Sequence, residues 1–264
     1  MTPRLPIAEL FPATLKGAQQ VALTTLGPAL GFVVAVALLF WGAEALPETM
    51  TGSVGFLTLL AMAVGAHNLF SASMYRQLLP FEHSLWTAVW KLTLAWILII
   101  VVAAILSTAI VLFFSLIGSS LGVVSGEAGQ DITDMTAQMR EGGTFYPLFI
   151  LFMLTLVGVF WFTVRMMLFA VSTVTRGSVH VFRTWAWTKG YVLPMALGLV
   201  VFVLVPMIGL SYAAAGLQNA VSIPGGPASA AGLAALLQVP AAWLGHAFAS
   251  AVYARIAPDT SISS

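Results

Sequence analysis

The chain has no cysteine, which excludes disulfides, thiolate nucleophiles and cysteine-ligated zinc or iron–sulfur centres. Charge is nearly as scarce. Only 7% of the 264 residues are Asp, Glu, Lys or Arg, against roughly 25% in a soluble domain. The formal net charge of +1 leaves no basic field for a nucleic acid to find. Four histidines and nine carboxylates remain as metal ligands, and none stands at H-E-x-x-H spacing, so neither a metal nor a cofactor is expected. There is no P-loop, no dinucleotide fingerprint and no nucleophile–base pairing, so no catalytic residue is assigned and the chain is read as a non-enzyme.

What is abundant is apolar. Sixty percent of the residues are hydrophobic, more than a soluble fold of this size has interior positions to hide. Lipid is the solvent that suits such a chain. A transmembrane helix needs about 20 apolar residues, and six stretches supply them: Thr25–Leu46, Val54–Leu78, Leu92–Leu116, Phe145–Leu168, Val192–Tyr212 and Ala228–Tyr253. The expected fold is therefore an all-α membrane protein of one polytopic domain. The start does not read as a secretory signal, because Pro3, Pro6, Glu9 and Pro12 precede an apolar run longer than the usual signal core. Ala43-Glu44-Ala45 resembles a cleavage site, which keeps cleavage there as the alternative to a first span.

The basic residues orient the spans. Arg4, Lys16, Arg76, Lys91, Arg165, Arg176, Arg183, Lys189 and Arg255 fall at the N-terminal end or in alternate loops, with only Arg140 opposite. Lys/Arg excess marks the cytoplasmic side, so both ends are expected in the cytoplasm. Glu44, Glu48, Glu127, Asp131, Asp134 and Glu141 lie on the outer side. The outer loop, about 119–144, holds Ile132, Met135 and Met139 at helical spacing after Asp131, a candidate N-cap. A short surface helix and an irregular loop are both compatible with it.

A tetrad Ala-x-x-Lys recurs before the odd-numbered spans: Ala13–Lys16, Ala88–Lys91 and Ala186–Lys189. Each follows aromatic residues, Phe11, then Phe81 and Trp86, then Phe182 and Trp185. This repeat predicts amphipathic interfacial helices before spans one, three and five, the first over about residues 7–20, with rings at headgroup depth and lysines reaching phosphates.

The text from Trp161-Phe162-Thr163-Val164-Arg165 through Arg176-Gly177-Ser178 to Phe182-Arg183-Thr184-Trp185-Ala186-Trp187-Thr188-Lys189-Gly190 resembles one broad bacterial group. It looks like the YciC-like membrane proteins and the membrane domain attached to some glycerophosphoryl diester phosphodiesterases. The resemblance implies an arginine inside the fourth span, here Arg165, and an entry helix at Ile7–Lys16. It also implies a bacterial plasma (inner) membrane location. Catalysis in those phosphodiesterases belongs to a separate soluble barrel that has no counterpart in this sequence, so no activity is carried over.

Polar residues inside apolar spans are functional suspects, since insertion of Arg, Lys or Asp at mid-membrane costs about 2.5–3.5 kcal/mol. His67, Asn68, Ser71 and Tyr75 follow one another on span two, and Gln238, His246 and Ser250 on span six. The two histidines either face one another in a polar cavity, as a ligand or proton site, or each closes a helix–helix hydrogen bond averaging about 0.6 kcal/mol. Arg165 stands as a snorkelling anchor, or joins Lys16, Lys91, Arg176, Arg183 and Lys189 in contacting anionic lipid. Ala241, Gly245 and Ala249 form a small-residue row suited to close helix packing. Pro194, Pro206 and Pro240 punctuate spans five and six.

Two functional readings follow. The first is an accessory subunit or scaffold that engages membrane lipids and a membrane-protein partner or a second copy. The alternative is a carrier of lipid or a small apolar solute with a basic cytoplasmic rim.

Overall fold

The structure, a computed structural model, describes residues 5–120, 140–141, 143–220 and 226–257. Every regular element among them is helical: α1 (Ile7–Thr24), α2 (Leu26–Ala45), α3 (Met50–Leu78), α4 (Leu85–Ser120), α5 (Phe145–Met166), α6 (Phe169–Arg176), α7 (Arg183–Trp187), α8 (Val192–Leu199), α9 (Val205–Ala220) and α10 (Gly226–Ile256). A π-helical turn, Val200–Leu204, joins α8 to α9. Six segments are long and apolar enough to cross a membrane: Leu26–Ala45, Met50–Leu78, Leu85–Ser120, Phe145–Arg176, Val192–Ala220 and Gly226–Ile256. The chain is thus a multi-pass membrane protein. Most of the outer loop, including Asp131, Ile132, Met135 and Met139, lies outside the described residues.

Proline sets several element boundaries. Pro28 has no N–H for the Thr24 carbonyl, and its ring would collide with that carbonyl, so the helix restarts at Thr25. Thr25 is fully buried, with its hydroxyl donating to the Val21 carbonyl at 2.7 Å. Pro206 poses the same problem for the Phe202 carbonyl, and the backbone widens into the π turn just before it. Pro194 falls in the first turn of α8, where its missing donor costs nothing, whereas Pro240 is carried inside α10 without a break.

The chain divides into two units, Met1–Ala95 with Val164–Ser264, and Trp96–Thr163. In the larger unit α2 and α3 form a hairpin. Thr49 caps α3 by accepting from the Gly52 amide at 3.2 Å. Position 52 must be glycine, because a Cβ there would overlap the Pro47 carbonyl oxygen. α10 is the long central element. Its N-terminal half packs on α2, with Ala37 beside Gly232, and its C-terminal half packs on α1. Leu10, Thr14, Ala18 and Val21 form the buried stripe of α1. Three contacts show α1 and α10 running antiparallel: Trp243 Nε1 donates to Thr25 Oγ1 at 3.1 Å, Gly17 abuts Ala247, and Glu9 pairs with Arg255 at 3.7 Å. A column of rings, Phe11–Phe202 at 5.1 Å and Phe202–Phe248 at 5.4 Å, extends this seam to the fifth span. The column ends at Gly198, where a Cβ would overlap the Phe248 ring. Gly245, in the small-residue row of α10, similarly brings Val203 close, so that row packs within the chain.

The smaller unit consists of α4 from Trp96 onward, residues 140–141 and 143–144, and α5 up to Thr163. Among its described residues only Gly118 is buried. Arg140 lies over the Phe145 ring at 5.1 Å.

The three Ala-x-x-Lys tetrads occupy unlike settings. The first lies in α1, a separate helix. The second departs from expectation, since Ala88–Lys91 is part of the continuous 36-residue α4 and not of a helix preceding it. Ser84 starts that helix, its Oγ accepting from the Thr87 amide at 3.1 Å, and no Gly or Pro interrupts the chain before Gly118. The third straddles the end of the five-residue α7.

The fourth span, expected over Phe145–Leu168, is helical to Met166 and is followed by a turn at residues 167–168. An i−3 bond from the Met167 amide to the Val164 carbonyl, at 3.3 Å, tightens the backbone there. The chain resumes as α6, in which Phe169 through Val174 are all buried.

Candidate functional site

The polar residues of spans two and six are distributed over several helix contacts. Asn68, fully buried, donates through Nδ2 to Thr93 Oγ1 of α4 at 2.8 Å. Gln238 turns to the fifth span, donating to the Met207 carbonyl at 3.1 Å and Ser211 Oγ at 2.8 Å. The His67 ring lies 5.4 Å from that of Phe32 on α2. The His246 ring lies 4.9 Å from that of Tyr75, with Nδ1 2.8 Å from the Ala242 carbonyl. Ser71 is buried on α3, and Ser250 is buried on α10 one turn beyond His246. The structure therefore joins Tyr75 to His246 across α3 and α10, and sends Asn68 and Gln238 to other neighbours. Helical spacing identified which residues share a face; it carried no information on what faces them.

Two of the expected lipid-contacting arginines lie against aromatic rings. Arg165, 6% exposed, stacks over Trp185 at 4.9 Å. Arg176 stacks over Trp187 at 4.5 Å and donates through Nε to Tyr253 Oη at 3.0 Å. Thr175 Oγ1 lies 3.0 Å from the same hydroxyl. These contacts tie the end of the fourth span and α7 to the end of α10. Guanidinium–indole stacking contributes about 0.5–2 kcal/mol depending on desolvation. Arg183 and Lys189 are exposed, and Lys91 is half-buried in α4.

Beyond α6 the chain turns at Gly177 and returns through His180, a buried residue. The His180 amide donates to Thr173 Oγ1 at 3.2 Å, and its Nε2 lies 2.6 Å from Ser178 Oγ. Burial, with the charges of Arg183 and then Arg176, pushes the His180 pKa below the ordinary histidine value. Among the described residues no three His, Cys, Asp or Glu side chains gather where a metal ion would sit.

A cleft of about 290 Å³ opens between α1, the end of α3 and the last turns of α10. Its lining includes Lys16, Gln20, Leu78, Ala247, Ser250 and Arg255. Gln20 Nε2 crosses one edge to the Gln77 carbonyl at 2.8 Å, and Arg255 Nη1 donates to the Ala251 carbonyl at 3.1 Å. Sequence reasoning named Lys16 and Ser250 separately and passed over Gln20 and Arg255 as site residues. The available signal was the set of small residues Gly17, Ala247, Ala251 and Ala254, which lets two helices approach with little side chain between them.

Comparison with protein-family models, with curated proteins and with solved structures finds no match to this chain.

Proposed function

We propose that this chain is a non-enzymatic membrane protein that serves as an accessory subunit or scaffold, presenting apolar helices to a membrane partner. The observation that carries the reading is the smaller unit. Between Trp96 and Thr163 two apolar helical segments bury one described residue, Gly118. From Leu92 to Ser120, α4 contains no charged residue. At 1.5 Å per residue that stretch is about 43 Å long, well beyond a hydrocarbon core of about 30 Å. Mismatch costs fractions of a kcal/mol per Å and favours tilting or association with other helices. Cross-linking in native membranes followed by mild-detergent purification tests this. A stoichiometric partner on α4 or α5 supports it, and repeated recovery of an uncross-linked monomer defeats it.

The charge distribution and the resemblance to YciC-like proteins support a bacterial plasma-membrane location with both ends in the cytoplasm, and with α1 and α7 near the cytoplasmic interface. Reporter fusions at each end read out this orientation; an external signal from either end rejects it. The second reading, a lipid or apolar-solute carrier, draws on the π turn ahead of Pro206, since such irregularities in a helix are frequent at functional sites. Straightening it by Pro206→Ala would then slow lipid transfer between vesicles, and an unchanged rate rejects that reading.

A further inference from the structure

We infer that the cleft between α1, the end of α3 and the end of α10 binds a phosphate anion, with Lys16 and Arg255 as the charged contacts and Ser250 as a hydroxyl donor. This does not rest on the scaffold reading. Lys16 has no ion-pair partner among the described residues. Arg255 has a long one, Glu9 at 3.7 Å, whose carboxylate is largely exposed. Two cations therefore share one small concave surface with a single acid at its edge.

Helix ends alone would draw cations here, because the C-termini of α3 and α10 both finish beside the cleft and their carbonyls carry partial negative charge. Ser250 argues for more than that. A serine or threonine in an apolar helix ordinarily bonds back to the carbonyl four residues earlier, as Thr58, Ser73, Thr93, Thr155, Thr163 and Ser211 do here. Ser250 is 4% exposed and its hydroxyl, like those of Thr14 and Ser71, has no hydrogen-bond partner among the described residues; of the three, Ser250 is the one that lines the cleft. A phosphate oxygen is the acceptor it lacks. Apart from Gln20, which is bonded to the Gln77 carbonyl, the remaining walls, among them Leu78, Leu79, Ala247 and Ala251, are apolar. Cationic rim, buried hydroxyl and apolar wall together match the headgroup and glycerol region of an anionic phospholipid, and the same rim suits a free phosphate.

The test is thermal stabilisation of the full chain in neutral detergent by three probes: dihexanoyl phosphatidylglycerol, dihexanoyl phosphatidylcholine and inorganic phosphate. A saturable rise with the first alone assigns the site to anionic lipid. A rise with inorganic phosphate as well assigns it to the phosphate group itself. Each of Lys16→Gln and Arg255→Gln should weaken the apparent affinity about five-fold, the effect of one basic residue near an anionic surface. Glu9→Gln should strengthen it by freeing Arg255, which separates loss of binding from loss of folding. Equal response to phosphatidylglycerol and phosphatidylcholine, or affinity unchanged across Lys16→Gln, Arg255→Gln and Glu9→Gln, overturns the inference.

Discussion

Replacing Gly198 by alanine adds one methyl group at a close helix crossing in the larger unit. The new Cβ would overlap the Phe248 ring, which is 1% exposed and so has no open space into which to retreat. Behind it stands Phe202 at 5.4 Å, and behind that Phe11 at 5.1 Å. A shift of Phe248 is therefore passed along three helical elements. Overpacking a filled core costs about 1–3 kcal/mol, and a closed ring column belongs at the upper end, about 2–3 kcal/mol. For a chain of this size each kcal/mol moves the melting point by about 2–4 °C, so Gly198→Ala should melt about 5–10 °C below the parent in the same detergent. Phe248→Leu alone removes part of the ring and should cost about 1–1.5 kcal/mol. The pair decides the matter: the double variant should melt above Gly198→Ala, giving a coupling of about 1–2 kcal/mol in a double-mutant cycle. If Gly198→Ala melts with the parent, or the two costs simply add, the close approach of α8 to α10 is refuted.

Gly52→Ala should destabilise more than a typical surface change, since its methyl meets the Pro47 backbone carbonyl and not a side chain that can swing away; a melt in detergent matching the parent would refute the hairpin geometry. Tyr253→Phe removes the acceptor of Arg176 Nε, a charged hydrogen bond worth about 1.5–3 kcal/mol. A loss of about 1–2 kcal/mol is expected because Arg176 retains its stack on Trp187, and no loss would place that arginine's support elsewhere. His180 binds a proton less readily folded than unfolded, so its contribution to stability is complete above its ordinary pKa of 6.5 and is lost as pH falls below that value. His180→Gln should flatten the fall in melting temperature between neutral and mildly acid pH, and an unchanged slope would assign the acid sensitivity to other groups.

The spans were legible because apolar runs of membrane length have few other readings. Each of the six sequence-defined stretches overlaps an observed spanning segment, with ends displaced by up to eight residues. Two of the larger displacements have local causes. α4 begins early because Ser84 caps it and nothing downstream breaks it. The fourth segment runs on to Arg176 because the break after Met166 is a tightened turn between two apolar helices, which hydropathy does not register. Pro206 announced an irregularity in the fifth span but not its π form. The candidate polar site was legible only as faces of single helices. Asn68 meets Thr93, and Gln238 meets Ser211, through crossings fixed by interhelical packing, on which a one-helix pattern is silent. α1 was read correctly as a helix, but its seat along α10 depends on Gly17 and Ala247 meeting across most of the chain.

That seat has a consequence for biogenesis. Thr25 and Trp243 come together only when α1 and α10 meet, and they are 218 positions apart. At roughly 5–20 residues per second of synthesis, the buried stripe of α1 waits about 10–45 s for its partner to leave the ribosome. During that interval Val21 can meet Phe70 and Met74 of α3, but the α10 side of the stripe has no protein partner. Closure of α1 on α10 is thus a late step in membrane assembly, and a product truncated before Gly226 would leave α1 with its α3 contacts but none to α10.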